Sequence, residues 1–128
     1  MKTSTEMRLV NLYDSTSRVD YRGKTPTKTD FGIQLITAKN IKNGWIDYDC
    51  SLEYISKEDF DSVMSRGKVQ LGDVLFTTEA PLGNAAIVDD ENIALAQRVI
   101  KFNGGSIIDN QYLLQYFLSS KYLAVLIL

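Results

Sequence analysis

The sequence predicts an α/β fold of the α+β kind: a twisted mixed β-sheet with flanking short helices. Two observations predict it. Apolar, β-branched runs of strand length recur along the chain, each closed by Gly, Pro, Asn or Asp. Helical spacing of apolar residues appears in only two stretches, both short.

The most regular part is Leu71 to Val88. A Gly72-Asp73 turn leads into Val74-Leu75-Phe76, a contiguous apolar run that predicts a central strand covered on both faces. Thr77, Thr78 and Glu79 then leave the core as polar groups at a loop mouth. Ala80-Pro81-Leu82-Gly83 has the Pro and Gly placement of a turn. Ala85 to Val88 and Ile93-Ala94-Leu95, separated by Asp89 to Asn92, read as further strands of a meander.

Taken in order, Met7 to Tyr13 is a short apolar segment, helix or strand. Asp14 to Asp30 is polar and turn-rich, with Gly23 and Pro26 framing Lys24 and Thr25. Ile33 to Ala38 predicts a strand, Lys39 to Gly44 a polar connector, and Trp45 to Tyr48 another short strand. Ser56-Lys57-Glu58-Asp59 has the form of a capping box, so Lys57 to Arg66 should be a helix burying Phe60, Val63 and Met64. Gln97 to Phe102 alternates like a half-exposed strand. Asp109-Asn110 caps a helix that carries Tyr112, Leu113, Tyr116 and Phe117. Residues 1–122 form a single domain, and the apolar tail 123–128 reads as the start of a spacer helix cut short.

The chain has 128 residues and a net charge of −2, which hides an asymmetry. Residues 1–45 carry eight Lys/Arg against four acids, whereas residues 46–128 carry six against twelve. Such a split can make one face attractive to phosphate in an acidic protein. Cys50 is the only cysteine, which excludes an internal disulfide and suits a reducing cytoplasmic setting. We expect it to be partly buried. No window is long and apolar enough for a membrane span.

The absence of histidine excludes a His-based triad, a His general base and His metal ligation. Asp73 and Glu79 invite a Mg²⁺-nuclease reading, but the Glu-x-Lys element fails because Ala80-Pro81 follows Glu79. No phosphate-binding glycine motif or nucleophile elbow occurs. No catalytic residues, metal site or cofactor are assigned.

Four blocks then carry a resemblance. They are Tyr21-Arg22-Gly23-Lys24-Thr25-Pro26, Tyr54 to Phe60, a third in two parts, Leu71 to Thr77 and Pro81 to Val88, and Ala96-Gln97-Arg98-Val99-Ile100. Their order and spacing, over about residues 8 to 122, resemble a target recognition domain of the DNA-specificity subunit of type I restriction–modification systems. The resemblance implies a cytoplasmic, non-catalytic module that reads one half of a bipartite site in double-stranded DNA. It also implies a methyltransferase subunit, a restriction/translocase subunit, and a second recognition domain joined through a helical spacer. This sequence departs from that pattern in having one recognition domain and no spacer helix. The alternative is an interaction fragment or decoy that docks on the methyltransferase without reading DNA.

Base contacts do not transfer across such a family, so the candidate DNA-binding residues come from the polar loops. They are Lys24, Thr25, Thr27, Lys28, Lys39, Asn40, Lys42, Asn43, Thr77, Thr78, Glu79, Gln97 and Arg98. Lys and Thr donors suit the phosphate backbone. Asn40, Asn43, Gln97 and Arg98 carry the bidentate groups that discriminate base edges.

Overall fold

The computed structural model describes residues 16–79, 82–106 and 108–119. The Met7–Tyr13 segment, the Ala80-Pro81 step and the apolar tail lie outside them. The element order is β1 (Ser17–Val19), β2 (Lys28–Thr29), β3 (Ile33–Ile36), a 3₁₀ turn (Ala38–Asn40), β4 (Glu53–Ile55), α1 (Lys57–Val63), β5 (Val74–Thr78), β6 (Leu82–Ile87), β7 (Ile93–Leu95), β8 (Val99–Asn103) and α2 (Asn110–Ser119).

The class is α+β, with the strands divided between two four-stranded sheets. One is wholly antiparallel in the order β1-β8-β5-β6. The other, β2-β4-β3-β7, is mixed, with β3 and β7 parallel. The expected meander therefore breaks after β6. The outer edge of β6 is occupied by the connector, where Asn43 bridges Ala85 and the Gly44 N–H donates to the Ala85 carbonyl at 2.9 Å. With that edge filled, Ile93–Leu95 pairs instead with β3 in the second sheet.

β5 is the central strand of three layers, as its unbroken apolar run predicts. Leu75 faces the second sheet, in a core that includes Ile36, Ile55, Met64, Leu95 and Val99. Val74 and Phe76 face α2, packing with Ile100, Phe102 and Phe117. The Phe76, Phe102 and Phe117 rings meet at tilted or edge-on angles with centroids 5.0–6.4 Å apart, the arrangement the ring quadrupole favours.

Both helices begin at side-chain caps. Ser56 Oγ accepts the Asp59 N–H at 3.2 Å, and Glu58 and Asp59 complement the dipole of the first turn. α1 ends at Val63, short of Arg66, because the chain tightens there: the Ser65 N–H donates to the Ser62 carbonyl at 3.3 Å. Asp109 Oδ1 accepts the N–H groups of Gln111 and Tyr112. Asn110 ties α2 to the sheet, donating to the Gly72 carbonyl at 2.8 Å and accepting the Gly104 N–H at 2.7 Å.

Three local expectations are corrected. Trp45–Tyr48 is not a strand; the chain there forms only the isolated Ile41–Ile46 bridge. Cys50 is exposed, with its Sγ 3.2 Å from Lys42 Nζ. β8 is not half exposed either, since Val99 to Phe102 are all buried. Lys101, which reads as an outward residue, is buried because its ammonium meets Asp73 at 3.5 Å. Asp73 is itself fully buried and accepts from the Gln70 N–H at 2.8 Å and Asn103 Nδ2 at 2.6 Å.

Candidate functional site

Where the two sheets meet, a cleft of about 400 Å³ opens to the surface. Its apolar floor includes Leu35, Ala38 and Ala96. Around it stand Lys24, Thr25, Lys28, Lys39, Glu79, Gln97 and Arg98, seven of the thirteen candidate residues, together with Thr37 and Glu53.

Each wall is held by backbone structure. The Ala96–Val99 turn carries Gln97 and Arg98 from one sheet to the other. Its anchors are the Ala96 N–H on the Ile36 carbonyl (3.0 Å) and the Thr78 N–H on the Arg98 carbonyl (3.0 Å). Thr78 Oγ1 donates to that same carbonyl, so this residue supports the turn from beneath. Lys28 projects from β2, and Lys39 from the 3₁₀ turn after β3. The β2–β3 connection needs Gly32: a Cβ there would lie 2.4 Å from the Ile55 carbonyl oxygen, and φ is +133°. Phe31, beside it at the tip, is 82% exposed.

Charge in the cleft is partly compensated. Lys28 Nζ lies 2.6 Å from Glu53, and the Arg98 guanidinium pairs with Glu79. The Lys28 hydrogen bond is the main reason the Glu53 carboxyl is held below the usual glutamate value, opposed by burial and assisted by Ser51 and the Lys39 charge. Lys24 Nζ donates to Ser65 Oγ at 3.1 Å. Neither Lys24 nor Lys39 has an ion pair among the described residues. Gln97 Nε2 reaches Thr25 Oγ1 at 3.5 Å, leaving an exposed amide with donor and acceptor capacity at the rim.

The structure separates the other candidates from this cleft. Asn40 is fully buried and is a structural residue. Its Oδ1 accepts from Thr37 N (2.9 Å) and Oγ1 (3.1 Å), and its Nδ2 donates to the carbonyls of Asp47 (2.8 Å) and Ser51 (3.1 Å). It has no free edge for a base. Thr77 is also fully buried and does not reach the loop mouth. The β5–β6 register shifts between Phe76 and Thr78, and the Thr77 hydroxyl fills that irregularity, accepting the Asn84 N–H at 3.0 Å. Lys42 and Asn43 belong to the connector on β6 and do not line the cleft. Thr27 lies between two lining residues, with its N–H on Asp59 Oδ2 at 2.9 Å.

Asp73 is not open to a metal ion, being buried against Lys101, and Glu79 is taken up by Arg98. Glu53 is not among the candidates read from the sequence, which predicts no strand over Glu53–Ile55. Its role depends on β2 pairing with β4, a non-local fact. Among the described residues no helix is long and apolar enough to cross a membrane. No known family model matches the chain, and no curated protein matches it.

Proposed function

We propose that this chain is a sequence-reading DNA-binding module with no chemistry of its own. It would be a target recognition domain of a type I restriction–modification specificity subunit, working in the cytoplasm. One observation carries the reading. Four cations from three parts of the chain, Lys24, Lys28, Lys39 and Arg98, converge on a single open cleft beside Gln97 and Thr25, against two carboxylates, Glu53 and Glu79. Lysines that line a cleft neutralise phosphates, and this contact positions the duplex without reading sequence. Gln97 and Arg98, on a turn braced between two sheets, carry the amide and guanidinium groups that pair with adenine and guanine edges.

The resemblance supplies the remainder of the proposal. A methyltransferase subunit performs the reaction, a restriction/translocase subunit joins it, and a second recognition domain completes the bipartite site. Selection of bound duplexes from a random pool tests the reading. The expected result is enrichment of one short motif, which relaxes at a single position when Gln97 is replaced by Ala. Recovery of no preferred sequence would contradict it.

A further inference from the structure

Outside the cleft, three arginines gather at one place. Arg18 on β1, Arg22 in the following turn and Arg66 just past α1 line a shallow depression with Val19 and Asp20. Asp20 organises them. Its carboxylate lies 3.8 Å from Arg18 Nη1 and 3.3 Å from Arg66 Nη1, and it accepts the Arg22 N–H at 3.2 Å. The Asp20 carbonyl also accepts from Arg66 at 3.1 Å. Three arginines against one aspartate leave two positive charges in excess among the lining residues.

The depression is joined to the cleft by a rigid piece of chain. Tyr21 is fully buried, with its hydroxyl donating to the Gly67 carbonyl, and the Lys24 N–H closes the turn on the Tyr21 carbonyl at 3.1 Å. That turn carries Arg22 in the depression and Lys24 in the cleft. Across from it, Ser65 receives the Lys24 ammonium while its neighbour Arg66 meets Asp20. The Lys24–Ser65 and Asp20–Arg66 contacts therefore join the same two segments of the chain, 20–24 and 65–66.

We propose that Arg18, Arg22 and Arg66 form a second phosphate-contact site, onto which the backbone of the duplex held in the cleft continues. The inference rests on the DNA-binding reading. Guanidinium groups match phosphate oxygens in a fixed fork, and a cluster of three around one carboxylate is short of negative charge. A polyanion with regularly spaced charges fits a track continuous with the cleft better than an isolated acidic side chain does.

The test is fluorescence anisotropy of the full chain with a labelled duplex of about two helical turns, roughly 20 base pairs, over a range of salt. Arg22→Gln with Arg66→Gln should lower the slope of log K against log salt by about two units, and Arg22→Gln alone by about one. The single variant guards against loss of fold, because the Arg22 side chain makes no hydrogen bond or ion pair among the described residues. Unchanged slopes in both variants, with Lys39→Ala still flattening its own, would overturn this site and leave the cleft reading intact. Failure of the unsubstituted chain to bind any duplex would overturn both. If the double variant lost affinity for poly-glutamate but kept the duplex slope, the depression would be a protein-docking surface and the inference would fall.

Discussion

Lys28 Nζ lies 2.6 Å from Glu53 Oε1 across the antiparallel β2–β4 pair, inside the cleft. On the DNA-binding proposal this carboxylate competes with phosphate for Lys28, so Glu53 would oppose binding. Glu53→Gln should tighten duplex binding at low salt and steepen the salt slope by about one unit, as Lys28 becomes available. Weaker binding by this variant would mean that Lys28 does not face the nucleic acid.

The same pair sets a pH dependence. The folded protein holds Glu53 below the usual glutamate value, chiefly through the Lys28 hydrogen bond. A carboxyl with a lowered folded pKa contributes stability that is complete above its unfolded value and is lost as pH falls through the folded one. Thermal unfolding midpoints should therefore drop on acidification below the ordinary glutamate range. The Glu53→Gln protein should show a shallower drop over that window. Lys28 is largely exposed, so the effect is small and shrinks with added salt.

Asn40→Ala should destabilise the fold by about 2–3 kcal/mol, because it strands buried groups that the amide now satisfies. Chemical denaturation measures this directly. Where the variant is still folded, its preferred DNA motif should match that of the unsubstituted chain.

The fate of Asn40 shows what could be read from sequence. An Asn in a Lys-rich connector has the composition of a contact residue, yet four bonding partners at Thr37, Asp47 and Ser51 fix it in the interior. Thr77 misleads in the same way, since its burial follows from a register shift against β6 that no single segment encodes. Lys101 alternates correctly for a wet face but pairs inward with Asp73. By contrast, the β5 run Val74-Leu75-Phe76 was legible because an apolar strand without alternation has to be covered on both sides. Lys24, Gln97 and Arg98 were legible as loop residues, though their convergence depends on the turn between β7 and β8 joining two sheets. The division into two sheets was not legible, because what fills the outer edge of β6 lies some forty residues earlier in the chain.

Asp73 and Lys101 should respond unequally to substitution. Asp73→Ala leaves Lys101, the Gln70 N–H and the Asn103 amide without their shared acceptor, at a cost of about 3–5 kcal/mol. Lys101→Met leaves Asp73 with two donors and should cost less. Urea midpoints in the reverse order would contradict the network.

The most direct measurement is the salt dependence of duplex binding for the chain and for its Lys24→Ala, Lys39→Ala double variant. Both lysines line the cleft, and neither has an ion pair among the described residues. Weaker binding to every duplex alike and a slope reduced by about two units are expected. An unchanged slope and affinity would show that the nucleic acid does not lie in the cleft.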